Sequence, residues 1–384
     1  MKAVKTVEGK AVLRVPRQSL ENPFGQEVFY NPQMAFNRLL STLALKASLK
    51  RLTGANALDG LSSLGARGIR YALESKVKKV VLVDANPVAT KMAKANLKLN
   101  KIPKRVQMKV VESDLNRFFL NSSEKFDFVE IDPFGTPVFF LENAFRAISK
   151  KAVLSVTATD LANLYGTRPK ACVRQYDSKP LHNFFAHETA LRILAGRIAR
   201  VAAMLDFAAT PLLSFYKRHY VKTFVLVEKS ALKADETLKK NIGFLSFCRK
   251  CFFVQTGKIP LQNCPICKAN VEWAGPLWTG KLSDQAFLVD VEKLVEKSKL
   301  KEKKELMKLF SQLVCDNQSV MPAWFFDVPS ITSKFKVGVH LKLDDLVKAL
   351  QKKGFKACRT HFSPTGIKTD ASVRDVLLLI KSKK

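Results

Sequence analysis

Apolar and polar positions fall into blocks whose period switches between two and 3.6 residues. Residues 1–20 alternate weakly (Ala11-Val12-Leu13-Arg14-Val15-Pro16) and read as a strand or arm. Asn31-Pro32 can cap and start a helix. Met34, Phe36, Leu39, Leu40 and Leu43 then mark a helix to about Lys50, with Arg38 near its first turns. Residues 55–60 form a short strand ending at Asp59, followed by a small-residue turn from Gly60 to Gly68 and a helix from Ile69 to Ser75. Val80 to Asp84 is the next strand, and Asn86-Pro87 opens a helix through Lys98. Val106 to Val111 is a third strand, with Asp114 just beyond it. Lys125 to Asp132 reads as a fourth, Leu141 to Lys150 as a helix, and Ala152 to Thr157 as a fifth strand. This alternation predicts an α/β fold with a parallel, doubly wound sheet. A long helix over 186–207 and a strand over 222–228 follow, and the sheet should end near 238. Residues 281–313 read as helical and Lys-rich, and the end of the chain as a helix (342–353), a strand (355–361) and a helix (371–382). Three units result: 1–238, 239–280 and 281–384.

The fourth strand runs into Asp132-Pro133-Phe134-Gly135. That sets a carboxylate, a residue without an N–H, an aromatic ring and a Gly at a strand's carboxyl end, where open α/β sheets bind ligands. A plain strand-to-turn corner would also use Pro and Gly there. The stretch resembles the Asp/Asn-Pro-Pro-Tyr/Phe signature of amino-group methyltransferases. In that signature the acid or amide and the Pro-linked carbonyl accept hydrogen bonds from an exocyclic amine, and the ring stacks on the base. Asp84 ends the second strand, 19 residues after Gly65, and can accept hydrogen bonds from ribose hydroxyls. Asp114 is placed to meet an adenine amine or the next backbone N–H. Each acid alone could be a helix cap instead. Together with Asp132 they resemble class I S-adenosylmethionine methyltransferases more than dinucleotide enzymes.

Charge narrows the partner. Lys+Arg number 65 against 33 Asp+Glu, a net +32, which calls for a polyanion, most simply nucleic acid. No apolar run is long enough to span a bilayer, and the first ten residues are too polar for a signal peptide. Seven cysteines point to a reducing, cytoplasmic setting with a metal site rather than a disulfide framework. Cys248-x2-Cys251 and Cys264-x2-Cys267 offer four soft thiolates in two knuckles. That set suits closed, structural, tetrahedral zinc, with a redox pair as the alternative. Cys172, Cys315 and Cys358 have no spacing partner and default to buried, inert thiols. The run from Cys358 to Asp370 carries Arg359, His361 and Lys368 and is dense in phosphate-contacting residue types; a capped strand–turn–helix link would look the same.

Several segments in order resemble the tRNA (guanine-26-N2) dimethyltransferases of archaea and eukaryotes. They are Val28-Phe29-Tyr30-Asn31-Pro32 with Asn37-Arg38, the Asp59 to Arg70 turn, Asp132-Pro133-Phe134-Gly135 and Thr157-Ala158-Thr159-Asp160. His187-Glu188, Gly275-Pro276-Leu277-Trp278 and the Thr360 to Thr369 run also match. With the resemblance, the reading is a class I (Rossmann-like) methyltransferase domain, a zinc-ribbon-like module taken from the Cys spacing and not universal among relatives, and a smaller α+β C-terminal tRNA-binding domain. It implies S-adenosylmethionine held by Arg38, Arg67, Asp84, Asp114 and the backbone at Leu115. It implies Asp132 and Pro133 at the target amine, and Phe29 and Phe134 on the guanine. No membrane and no obligate protein partner are implied. The motif turn Gly60-Leu61-Ser62-Ser63-Leu64-Gly65 departs from the Ala-Leu-Ser-Ala-Thr-Gly usual among relatives. Two other readings stay open: an amino-methyltransferase acting on rRNA or DNA adenine, and a non-catalytic zinc-ribbon RNA-binding protein.

Overall fold

The structure is a computed structural model describing residues 3–318, 321–338 and 341–381. The chain opens with a hairpin, β1 (Ala3–Glu8) and β2 (Ala11–Pro16), turned at Gly9 in the left-handed region. Asn31 caps a short 3-10 turn at Pro32–Met34, which runs into α1 (Ala35–Ser48). Then β3 (Asn56–Gly60), α2 (Ala66–Glu74), β4 (Lys79–Asp84), α3 (Pro87–Lys98) and β5 (Gln107–Glu112) alternate. They are followed by α4 (Leu115–Asn121), β6 (Phe126–Ile131), α5 (Val138–Ala147) and β7 (Ile148–Ala158). Next come α6 (Leu161–Leu164), α7 (Pro169–Tyr176), α8 (Ala186–Ala203), β8 (Phe207–Lys217), β9 (Tyr220–Lys229) and α9 (Ala231–Asn241).

The seven-stranded sheet has the order β5-β4-β3-β6-β7-β9-β8. Five strands are parallel, and β9 and β8 add an antiparallel edge. The central strands are buried because helices cover both faces, as in β6, where all six residues are buried. Strand order reverses between β3 and β6, so the crevice of the fold opens at their carboxyl ends, with Gly60 beside Ile131. The hairpin is clamped to α3: the Asn96 and Asn100 side chains bond the backbone of Arg14 and Val12 as a neighbouring strand would.

A three-stranded ribbon follows, β10 (Ile242–Phe247), β11 (Val254–Gly257) and β12 (Glu272–Trp278). Beyond it lie α10 (Gln285–Glu296) and α11 (Lys303–Asp316). Their apolar faces (Phe287, Leu288, Val291, Phe310, Leu313) join the cluster built by Leu39, Leu40, Leu43, Phe215 and Tyr220 of the large sheet and α1. The last unit holds β13 (Phe326–Asp327), α12 (Val328–Phe335), α13 (Leu343–Lys352), β14 (Ala357–Arg359), β15 (Gly366–Thr369) and α14 (Val373–Lys381).

Three sequence expectations change, and one falls outside the described residues. The helix placed over 186–207 ends at Ala203, and Phe207 instead begins β8, an edge strand the pattern did not reveal. The span 281–313 is two helices broken near Lys297–Glu302, where apolar periodicity lapses. The expected end of the last helix at Ser382 lies outside the described residues. Cys315 and Cys358 are not inert thiols: they form a disulfide across 43 residues, because α11 packs beside β14.

Candidate active site

The crevice between β3 and β6 deepens into a cavity of about 670 Å³. That volume lies in the range of small-molecule and cofactor sites. The turn after β3 shapes one wall, with Leu61, Ser63 and Gly65 all in the left-handed region. This coil brings the Ser63 N–H to 2.7 Å from Asp84 Oδ2 and its hydroxyl to 2.6 Å from the Phe29 carbonyl. Gly60 is required by space: a Cβ there would stand 2.9 Å from the Glu130 carbonyl oxygen. Asp84 also accepts the Asn86 N–H at 2.9 Å, while α3 is capped by Asn86 itself. Asp84 is therefore free of the capping role and lines the cavity.

Asp132 follows the last residue of β6 and faces the same cavity. Its carboxylate pairs with Arg67 from α2. Burial acts to raise the Asp132 carboxyl, but the Arg67 guanidinium and Lys222 ammonium outweigh it and hold it below the usual carboxylate range. Below it lies a buried cluster that sequence reasoning missed. Arg67 stands 3.5 Å from Asp59 and 3.4 Å from Glu130. Lys222 pairs with Glu130 at 2.5 Å and donates to Thr157 at 3.0 Å, and the Tyr71 hydroxyl donates to Glu130 at 2.9 Å. Asn37 accepts from Arg67 at 3.2 Å. Three carboxylates thus share two cations. Burial, with the Glu130 charge and against Arg67, pushes the Asp59 carboxyl up to about 6. The available signal was Glu130 itself, a charge within the all-buried run Phe126 to Ile131.

Phe29 and Phe134 meet edge to face at a centroid distance of 4.6 Å. Phe134 is 70% exposed at the cavity mouth, on a turn where Gly135 takes a left-handed φ and Thr159 receives its N–H. Arg38 also lines the cavity, but its Nε binds Glu8 at 2.8 Å, its Nη2 donates to the Asn31 carbonyl at 3.1 Å, and it stacks over Tyr30. Asp114 and Leu115 lie at the start of α4. Asp114 caps α4 by accepting the Arg117 N–H at 2.9 Å, and the Leu115 side chain is buried against Gly60. Neither lines the cavity. On the lining, Ser62 Oγ and Arg67 Nε have no hydrogen-bond partner among the described residues, leaving polar valence for a bound molecule.

In the ribbon, Phe252 and Lys268 follow the second Cys of each knuckle and both take a left-handed φ. The two loops close alike: Phe252 N–H to the Cys248 carbonyl at 2.8 Å and Lys268 N–H to the Cys264 carbonyl at 2.9 Å. The four sulfurs lie within 4.8 Å of one another. The C-terminal residues expected on phosphate are placed otherwise. Lys368 is buried on Glu188 at 2.7 Å, and His361 is buried beside Asp316; only Arg359 is on the surface, 3.4 Å from Asp344.

The model of the N2,N2-dimethylguanosine tRNA methyltransferase family matches residues 9–381. A tRNA (guanine(26)-N(2))-dimethyltransferase of Methanothermobacter thermautotrophicus is 37% identical over 96% of this chain and 96% of that one. One of Pyrococcus horikoshii is 36% identical over 99% of each. The solved complex of Trm1 from Pyrococcus horikoshii with S-adenosyl-L-methionine superposes with a TM-score of 0.87 at 34% identity, covering 98% of this chain and 100% of that one.

Proposed function

Since the chain belongs to the N2,N2-dimethylguanosine tRNA methyltransferase family, we propose that it methylates the exocyclic N2 of guanosine 26 in tRNA, giving the mono- and dimethylated base. The observation that carries this is Asp132-Pro133-Phe134 at the carboxyl end of β6, in one cavity with Asp84 and the Phe29–Phe134 pair. S-adenosylmethionine supplies an electrophilic methyl group, which gains its bond to N2 as its bond to sulfur breaks. Asp84 is the acceptor for the ribose hydroxyls, and the free Arg67 Nε and Ser62 hydroxyl are available to its polar end. Arg38 belongs to this wall, although its guanidinium is engaged by Glu8.

The guanine amine lone pair is delocalised into its ring, so it must be localised and aligned before it can attack. An ionised Asp132 and the Pro133 carbonyl accept the two N–H groups and do this. As the bond forms, nitrogen gains positive charge, which the fixed Asp132 carboxylate stabilises. The proton leaving nitrogen passes to Asp132 or through it to water. The target base is stacked in tRNA and must leave the stack; Phe134 and Phe29 replace its neighbours. The reading includes one structural zinc ion held by Cys248, Cys251, Cys264 and Cys267. Tetrahedral zinc with Zn–S bonds of about 2.3 Å sets sulfurs ~3.8 Å apart, and the Cys248–Cys267 and Cys251–Cys264 pairs stand at 3.5 Å. It also places the enzyme in the cytoplasm with its tRNA. Among the described residues no helix is long and apolar enough to cross a membrane.

Incubating the purified protein with unmodified tRNA transcript and labelled cofactor, then analysing nucleosides, tests the proposal. Label should appear as N2-methyl- and N2,N2-dimethylguanosine and vanish when guanosine 26 is replaced by adenosine. Label in another nucleoside, or none, overturns it.

A further inference from the structure

A surface on α3 and the chain that follows it has the character of a polyanion site. From Ala85 to Val111 the chain contains no acid. It carries Lys91, Lys94, Lys98, Lys101, Lys104 and Arg105, all exposed. Lys91, Lys94 and Lys98 follow the i, i+3, i+7 spacing of one helix face on α3, and Lys101 and Lys104 continue the row past its end. The opposite face is the buried one, holding Ala89, Ala93 and Asn96. None of the six cations makes an ion pair with a described residue.

The hairpin gives a second, independent observation. Lys5 and Arg14 are directly paired across β1 and β2, and both are exposed. Like charges directly opposite on one sheet face destabilise a strand pair. Neither has an acid partner among the described residues, so folding leaves this repulsion standing. Asn96 bonds both the N–H and the carbonyl of Arg14, at 2.7 and 3.2 Å, so the edge of the hairpin lies against α3. The first turn of α3 touches the catalytic cavity, because Asn86 and Ala89 line it. A 12-residue helix extends about 18 Å from there, a length that spans several phosphates of a nucleic-acid backbone.

We propose that the outer face of α3 and the β1–β2 hairpin is a phosphate track for the body of the tRNA, running from the cavity mouth along the side of the catalytic sheet. The proposal rests on tRNA being the substrate. Bound phosphates neutralise the Lys5–Arg14 repulsion and the unpaired row, releasing counterions from the RNA. The contacts are to backbone only, so they add affinity and register rather than base specificity.

The test compares two full-length variants with equal charge change. Arg14→Glu/Lys94→Glu/Lys98→Glu reverses the track. Lys233→Glu/Lys239→Glu/Lys240→Glu reverses three cations on or beside the solvent face of α9. Affinity for tRNA transcript is measured from low to moderate salt, with cofactor affinity and wild-type methyl transfer in parallel. The track variant should bind tRNA on the order of ten- to a hundredfold more weakly, with the salt slope reduced by roughly 2–3. It should keep cofactor affinity, and the α9 variant should bind tRNA like the wild type. If the track variant binds tRNA as the wild type does, or both variants weaken equally, the track does not exist. Absence of tRNA methylation by the wild type would instead remove the function the proposal rests on.

Discussion

Asp132 sits in a cluster where three carboxylates, its own with Asp59 and Glu130, meet Arg67 and Lys222. Removing the Asp132 charge leaves two acids on two cations, a balanced set. Asp132→Ala should therefore fold, and it should bind tRNA and cofactor while losing nearly all methyl transfer. Asp132→Asn keeps an acceptor but not the charge that stabilises the developing ammonium. A preorganised group of this kind is worth ~3–4 kcal/mol, so single-turnover transfer should fall roughly a hundred- to a thousandfold. Near-normal single-turnover rates would dismiss Asp132 from the active site. Phe134→Ala should differ: at 70% exposure it adds little to stability, so the loss should appear in capture of the base and hence in KM. At this scale the sequence revealed the residues at the strand ends, because an acid closing an apolar strand is visible in one dimension. It hid the partners. Lys222 lies 92 positions from Glu130, and nothing local marks the pair. It left Asp114 open between cap and ligand, since both use the same side chain in the same place, and the structure shows the cap.

At the scale of elements, a carboxylate holds the hairpin down alongside the Asn96 and Asn100 clamps. Glu8 ends β1 and receives Arg38 at 2.8 Å and Arg70 at 3.1 Å. Burial alone would raise its pKa, but the two guanidinium groups lower it from 4.5 to about 2. A depressed carboxyl contributes stability that is present above its unfolded value and lost as pH falls through its folded one. The drop from 4.5 to about 2 corresponds to about 3 kcal/mol. The stability gap between wild type and Glu8→Gln should be full above about pH 4.5 and gone near pH 2, read by denaturant titration across that window. A gap that ignores pH would mean the ion pairs do not anchor the hairpin. The ribbon rests on its knuckles in a similar way. The purified chain should carry about one zinc, and Cys251→Ser should lose it and lower the melting temperature while sparing cofactor affinity; metal analysis of the two proteins decides this. Parallel strands and Cys-x2-Cys knuckles were legible because each announces itself within ten residues. Strand β8 was not, because its apolar start, Phe207-Ala208-Ala209, continues the apolar content of α8.

At the scale of the molecule, the units read from sequence share their cores. Helices α10 and α11 bury Phe287, Val291 and Phe310 with Leu40 and Phe215. Cutting the chain after residue 280 would strip that cover, so truncation cannot isolate tRNA binding from folding. The last sheet is tied to α8 by Lys368–Glu188 at 2.7 Å and by His187 Nδ1 at 2.9 Å from the Phe362 carbonyl. The sequence showed Lys368 and His361 as cations near Ser and Thr, and its expectation of phosphate contacts failed because burial is a property of the assembled units. The disulfide between Cys315 and Cys358 belongs to the same level, for it needs α11 docked beside β14 before the thiols meet. It closes a loop of 43 residues, whose lost entropy in the unfolded chain is worth up to about 4 kcal/mol. Cys358→Ala should therefore melt several degrees lower under oxidising conditions. The difference should disappear when both proteins are reduced, apart from the small cost of the lost sulfur. The four knuckle sulfurs lie outside this pair, so zinc content should be equal in the two proteins before reduction. Melting temperatures that agree in oxidant would show that the C-terminal sheet is held by its packing and by the Lys368–Glu188 pair, with the covalent link adding nothing.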